Sequence, residues 1–304
     1  MITVCIPVYN QRVFPLVNQL TGQIKQCREK VDICLIDDAS LKEIREVNRK
    51  ECGEIAQIIE LEQNVGRAKI RNLFLKYVQS NYLLFLDNDI EIVIEKFIEN
   101  YIKVLNNKKN DVVVGGHKYQ DEKPNRKYRL RWKYGRNREQ VTAIKRNRNP
   151  YKSFITSNFL ISRKVFDSVR FNESMTGYGH EDTLFGIELK KHNIKIAHID
   201  NPVQKKYLDT NDEFLRKTNE GLISLTLLLK LTNYDTDLIS EIKILNKHDS
   251  LTRSGAIMAF SLVFRVFSGL IKSFLNRGWV ISLFLFDIYK LGTYHWIVKN
   301  RPGR

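Results

Sequence analysis

The chain is poor in the residues that build special scaffolds: its 304 positions hold four cysteines, six prolines and three methionines. Cys5, Cys27, Cys34 and Cys52 form no C-x-x-C pair and lie at no zinc-ligand spacing from a histidine. That pattern argues against a disulfide framework and a zinc ribbon, and it predicts buried, reduced thiols. Low-complexity tracts are missing, and nothing repeats at a solenoid period. The opening MITVCIPVYN carries neither a basic leader nor a long apolar stretch. It reads as a strand, which predicts a cytoplasmic protein. No apolar run reaches the ~18–20 uncharged residues of a membrane span. Gly177-Tyr178-Gly179 lacks the third glycine of a dinucleotide fingerprint, so a flexible loop is expected there.

Positive charge is abundant and unevenly placed. The formal net charge is +16. Residues 123–152 hold twelve Lys or Arg against one Glu, and residues 253–304 hold eight against one Asp. Local basic patches have anionic partners: phosphates, nucleic acid or an anionic membrane.

Along the chain, β-rich runs at 2–8, 31–36, 55–61, 82–86 and 111–114 alternate with helix-patterned stretches at 14–27, 41–52, 67–78 and about 93–106. The strand runs are continuously apolar, which predicts strands buried on both faces of a parallel sheet covered by helices. In such sheets ligands bind beyond the carboxyl ends of the strands. Asn10, Asp37-Asp38, Asn64 and Asp87-Asn88-Asp89 follow these strands, so the fold would gather them along one edge. Asp and Asn also cap helices, and capping is the competing reading of each cluster taken alone. Acidic pairs after two separate strands exceed what capping needs, because adjacent carboxylates repel unless a cation lies between them.

Five motifs come in order: Ile6-Pro7-Val8-Tyr9-Asn10; Asp37-Asp38-Ala39-Ser40; Asn64-Val65-Gly66 with Ala68 and Arg71-Asn72; Phe85-Leu86-Asp87-Asn88-Asp89; and Ser157-Asn158-Phe159 followed by Tyr178-Gly179-His180-Glu181-Asp182. Over roughly residues 1–220 this set resembles the family 2 glycosyltransferases of the GT-A fold, of the bacterial polysaccharide-synthesis type. The resemblance implies a GT-A-like, Rossmann-type, mostly parallel sheet flanked by helices, with a C-terminal helical appendage. It implies an inverting transfer from a nucleoside-diphosphate sugar, with a UDP-sugar preferred, to a glycan or lipid-linked acceptor. In that reading Pro7, Tyr9 and Asn10 line the base pocket, Asp38 reads the base edge, and Asn64, Gly66 and Asn88 belong to the donor site. Asp89 binds a divalent cation, Mn2+ or Mg2+, and Asp87 supports it or contacts the ribose. Arg71 is a candidate contact to the diphosphate or sugar, against the alternative of a helix-surface arginine. Trp132, Tyr134, Asn158, Tyr178 and His180 fall on the acceptor side.

The chemistry needs such residues. A departing diphosphate must have its charge neutralised, and a divalent metal on carboxylate oxygens commonly does so. Inversion is a direct displacement that needs one base for the acceptor hydroxyl. The resemblance implies Asp182 as that base, with Glu181 beside it. Both also suit the start of a helix through about Lys191, where acidic side chains complement the helix dipole.

One departure from the family is visible. Two residues after Val203 the family often carries a metal-binding His, and here that position is Lys205. A protonated lysine cannot ligate a metal, but it could neutralise the diphosphate directly. Metal dependence therefore stays open. His198 could substitute as a ligand, although a packed histidine in a strand is the preferred reading.

From Lys127 to Arg138 aromatics interleave with Arg and Lys. Bases could stack on Tyr128, Trp132 and Tyr134. An acceptor carrying a lipid diphosphate or acidic sugars suits the segment better, and a solvated basic loop is the plain alternative. The expected domains are a catalytic domain over 1–232, a polar linker over 233–252 and an apolar helical segment over 253–304. Trp279, Tyr289, Tyr294 and Trp296 with flanking Arg and Lys suit the surface of a membrane, placing the protein peripherally on its inner face. A helical hairpin packed in a protein interface is the alternative. Two rivals to a transferase of this kind remain. A nucleotidyltransferase would want a glycine-rich loop after the first strand, where this chain has none. A non-catalytic basic protein binding membrane or nucleic acid would not need Asp87, Asp89 and Asp182 together.

Overall fold

The computed structural model describes residues 1–107 and 110–300. Ten strands are present among them: β1 (Ile2–Val8), β2 (Val31–Asp37), β3 (Gln57–Glu60), β4 (Tyr82–Leu86), β5 (Ile90–Ile92), β6 (Val112–Val114), β7 (His117–Lys118), β8 (Asn158–Ser162), β9 (Ile196–His198) and β10 (Val203–Lys205). The helices are α1 (Phe14–Ile24), α2 (Lys42–Cys52), α3 (Arg67–Tyr77), α4 (Phe97–Asn107), α5 (Arg129–Tyr134), α6 (Ala143–Arg146), α7 (Arg163–Ser168), α8 (Glu181–Lys191), α9 (Asn211–Leu231), α10 (Thr236–Glu241), α11 (Lys243–Arg253), α12 (Ile257–Arg277) and α13 (Leu283–Asn300).

The chain divides into two compact units. The first comprises residues 1–120, 138–176 and 181–207. Its main sheet has seven strands in the order β3-β2-β1-β4-β8-β6-β9. The β3-β2-β1-β4 half is parallel, as expected, with Cys5 beside Cys34 across β1 and β2. The interior strand β8 is antiparallel to both β4 and β6. Strand alternation splits the apolar residues between two cores. Ile2, Val4, Ile6 and Val8 pack with α1 and α4, whereas Cys5, Leu83, Phe85 and Phe159 pack with α3, α7 and Phe185 of α8. The inner strands are therefore apolar at consecutive positions because both faces are covered, whereas the edge strand β3 is only partly buried. A second sheet, β5-β10-β7, lies after the aspartate-rich turn. Residues 90–92 are a strand here, and the following helix begins at Phe97 rather than near 93.

The second unit comprises residues 121–137, 177–180 and 208–304, of which 301–304 lie outside the described residues. Helix α9 starts with a capping box in which Thr210 and Glu213 exchange side-chain bonds to each other's backbone N–H groups. Buried Asn211 then joins three segments: its Oδ1 accepts from Leu130 N at 2.9 Å, and its Nδ2 donates to the carbonyls of Arg126 and Asn276, both at 2.9 Å. Leu130, Phe214, Leu215, Leu275, Ile281 and Phe286 fill the core between these anchors. Residues 233–252, expected as a linker, instead carry α10 and α11, with Leu238 and Leu245 buried. The polar residues there form the outer faces of short amphipathic helices, which a reading by overall polarity misses.

Helix α12 is strongly apolar. Among the described residues it is the one helix long and apolar enough to cross a membrane by length and composition. Arg265 and Lys272 interrupt its apolar sequence, and both side chains are long enough to carry their charges outward along the helix. The helix leaves an apolar stripe exposed, including Leu262, Val266 and Leu270 at 68% each.

Candidate active site

The carboxyl ends of β1, β2 and β4 bring together residues that lie far apart in sequence. After β1, Asn10 adopts a left-handed backbone (φ 49°). Its N–H donates to Ser40 Oγ at 2.8 Å and its Oδ1 accepts from Leu41 N at 2.8 Å, tying the loops after β1 and β2 together. Tyr9 stands half exposed, while Pro7 is partly buried in the β1–β2 ladder beside Ile36. Asp38 is buried, and its carboxylate accepts from Val65 N at 2.7 Å and Gly66 N at 3.2 Å. Burial pushes its pKa up, the two backbone donors pull it down, and neighbouring Asp37 pushes it up again. Asn64 Nδ2 donates to Asp38 O at 3.1 Å. Gly66, at φ 83°, turns the chain from this loop into α3 where a side chain would be strained. Asp38 thus braces the loop that leads into α3.

The turn after β4 is a charged cluster. Arg71, expected either as a ligand contact or as a surface arginine, is buried at 3% exposure. Its Nη2 donates to Asp87 Oδ1 at 3.0 Å and its Nη1 to Arg67 O at 2.9 Å, with the guanidinium over the Phe171 ring. Lys205 Nζ donates to Asp87 Oδ2 at 3.2 Å and to Asp89 Oδ1 at 3.1 Å. Burial alone would raise the pKa of Asp87, but Lys205, Arg71 and Arg67 together hold it well below the usual carboxylate range. Asn88 occupies the turn between the two aspartates.

The first turn of α8 supplies Glu181 and Asp182. Asp182 Oδ1 accepts from Thr183 N at 2.7 Å. Burial and the neighbouring Glu181 raise its pKa from 3.8 to about 7, against the pull of the Thr183 N–H and Arg71. A carboxyl poised near 7 is suited to accept a proton at physiological pH. Glu181 is buried and faces Arg67 Nη1 at 3.6 Å. The first turns of α3 therefore place arginines on both acidic groups: Arg71 on the Asp87 turn, Arg67 on Glu181. Arg67 was not singled out from the sequence, although its i, i+4 spacing from Arg71 just after Gly66 carried the signal. The group behind Asp87 was also missed. Asp87 N donates to Ser157 O at 3.2 Å, Ser157 Oγ lies 3.4 Å from His117 Nδ1, and Glu139 faces both His117 and the Tyr119 hydroxyl.

One expectation is corrected. Asn158 is fully buried and cannot meet an acceptor. Its Nδ2 donates to the carbonyls of Gly116 and Asn201, and its Oδ1 accepts from Tyr101 OH at 2.6 Å. Tyr134 packs against Phe214 and Phe286, which are stacked on each other, and remains partly exposed. Trp132 lies under Arg136, and Tyr178 under Lys217, in that same unit. His180, also of the second unit, takes a left-handed backbone at φ 68°. His198 is a packed strand histidine, as preferred: burial lowers its pKa to about 4, and its Nε2 lies 2.9 Å from Pro150 O.

The resemblance implies a divalent cation on Asp89 and Asp87. The residues here do not fit one. Both oxygens of Asp87 and one of Asp89 are engaged by cationic side chains. Among the described residues, no three His, Cys, Asp or Glu side chains gather as a metal site.

A mostly parallel sheet with this charged carboxyl edge is an α/β architecture that binds ligands beyond the ends of its strands. The family model for glycosyl transferase family 2 matches residues 3–170, and the chain belongs to that family. Its sequence is 28% identical over 128 residues to Glycosyltransferase GlyG of Streptococcus pneumoniae, a match covering 40% of each chain. Its fold is similar to that of TarS 1–349 from S. aureus, with a TM-score of 0.51 and 18% identity, covering 73% of this chain and 64% of that one. It is also similar to the mannosyltransferase PcManGT of Pyrobaculum calidifontis, solved with GDP-Man and Mn2+ (TM-score 0.57, 12% identity, 99% and 88% covered). These structural likenesses establish the GT-A fold.

Proposed function

We propose that the chain is an inverting glycosyltransferase that moves a sugar from a nucleoside-diphosphate donor, with UDP preferred, to a glycan or lipid-linked acceptor. The observation that carries this reading is the turn after β4, where buried Arg71 and Lys205 hold Asp87 and Asp89 at the carboxyl edge of the sheet, with the Asp182 carboxyl in the same unit and within the field of Arg71. The donor base sits against Pro7, Tyr9 and Asn10 with Asp38, and Asn64, Gly66 and Asn88 border the nucleotide. Ionised Asp182 takes the acceptor hydroxyl proton as that oxygen bonds to the anomeric carbon. The bond from that carbon to the diphosphate oxygen breaks on the opposite face, and its electron pair leaves with the diphosphate. Arg71 and Lys205 meet the departing charge. Glu181, paired with Arg67, keeps the base near neutral poise. The test is transfer from a panel of UDP- and GDP-sugars with NMR assignment of the product anomer. A product that retains the donor configuration would refute direct displacement.

The acceptor is drawn from a membrane surface in this reading. The exposed apolar stripe of α12, with Arg265, Lys272 and Arg277 along the same helix, suits anionic lipid. Replacing Leu262, Val266 and Leu270 by Gln should abolish flotation with phosphatidylglycerol vesicles. Unchanged flotation of this variant would remove the membrane from the proposal and favour a protein interface on α12.

A further inference from the structure

We infer that Lys205 is the resident cation of the donor site, so that a nucleoside diphosphate binds this protein without a divalent metal. The inference rests on the proposed donor site and adds the identity of its counter-charge.

Main-chain bonding fixes the lysine in place. Strand β10 runs antiparallel to β5 with Lys205 opposite Ile90, the residue after Asp89. The next residue ties the same turn, because Lys206 N donates to Asp89 O at 3.0 Å. The origin of the Lys205 side chain is therefore set by the sheet, and its ammonium reaches the turn with the side chain only 15% exposed. There it contacts both aspartates, at 3.2 and 3.1 Å.

Charge matching leads to the same assignment. Asp87 and Asp89 are met by Arg71 and Lys205, and Arg67 faces Glu181. A divalent ion seated on Asp89 would lie within a few ångströms of an ammonium group. The two cations would repel at that distance, and the lysine has no lone pair to offer the metal. With a diphosphate present, the three N–H bonds of Lys205 can be shared between the carboxylates and a phosphate oxygen. The ammonium then supplies the compensation that a metal supplies elsewhere, from a position already paid for by sheet formation.

The test is calorimetric titration of UDP and of GDP into the full chain in EDTA and in Mn2+, with free Mn2+ followed by electron paramagnetic resonance. Wild type should bind the better nucleotide with the same Kd, within about twofold, in both buffers. Lys205→Ala and Lys205→Met should each weaken that binding at least tenfold in EDTA while binding uridine as wild type does, which shows that the site is folded. Lys205→His, which places an imidazole where the ammonium was, should bind weakly in EDTA and recover in Mn2+, with Mn2+ sequestered by the protein. Tenfold tighter binding of wild type in Mn2+ than in EDTA would overturn the inference and leave the donor site intact. Wild-type affinity in both Lys205→Ala and Lys205→Met would overturn it equally. Failure of wild type to bind uridine, UDP or GDP in either buffer would instead reject the donor-site reading, and this inference with it.

Discussion

Asp182→Asn should make the protein inactive and, at alkaline pH, more stable. The carboxyl of Asp182 is held beside Glu181 with its pKa raised from 3.8 to about 7. A raised carboxylate pKa means that the folded state holds its proton more tightly than the unfolded chain does. The associated stability is complete below pH 3.8 and is lost as pH rises through about 7. At about 1.4 kcal/mol for each pH unit between those values, the ionised group costs the native state on the order of 2–4 kcal/mol at pH 8, allowing for partial exposure to solvent. Asparagine has the same shape and keeps an oxygen for the Thr183 N–H, so it removes the charge without opening a cavity. It forfeits the favourable helix-dipole interaction of a charge at the start of α8, about 0.5 kcal/mol. Urea unfolding followed by circular dichroism should therefore find the variant about 2 kcal/mol more stable than wild type at pH 8, less than about 1 kcal/mol more stable at pH 5, and equal to it near pH 4. Turnover should fall by about 10²–10⁴, the usual contribution of a general base, with UDP binding unchanged. Wild-type activity in the variant would end the role of Asp182 as base. A stability difference that is flat between pH 5 and 8 would show that the acidic pair is not strained as described.

The wild-type kcat/KM should rise with pH and level off above about 7, because the base acts in its ionised form. Arg71→Ala removes a cation that pulls the Asp182 pKa down, so the rising limb of that profile should move to higher pH; an unmoved limb would place Arg71 outside the base's field. Asn158→Ala strips partners from the Tyr101 hydroxyl and from the carbonyls of Gly116 and Asn201. It should cost about 3 kcal/mol, read as a fall in Tm of roughly 6 °C or more. Gly116→Ala should be at least as harmful, since φ is 87° and a Cβ would lie 1.8 Å from Arg146 Nη1; a wild-type Tm would show that this loop relaxes freely.

Much of the site was legible because its motifs are local. A buried parallel strand must be apolar at every position, so polar residues can appear only where the strand ends, and there they mark the binding edge. Asp38, Asn64, Asp87, Asp89 and Asp182 were found by that logic together with the family pattern, and the register of β1, β2 and β4 aligns the ends of three of those strands. Lys205 was found as a departure from the pattern. Its contacts were not legible, since they depend on β10 pairing with β5 over more than a hundred intervening residues.

Other properties belong to the tertiary structure alone. Asn158 sits in a motif that resembles an acceptor contact, yet burial turns it into a bracket between main-chain segments. Tyr134 reads as an acceptor-side residue of a basic, aromatic segment, and its packing against Phe214 and Phe286 is visible only in three dimensions. The antiparallel β8 is as apolar as its parallel neighbours, so direction left no trace in its composition. What the amino-acid order determined was the set of local choices: which stretches are apolar on both faces, where they stop, and which charged residues follow. What the tertiary structure decided was which of those charges meet. Arg71, Lys205 and Asp87 come from three elements, and the pKa values of Asp87 and Asp182 arise from burial and from charges across space, neither of which a linear pattern encodes.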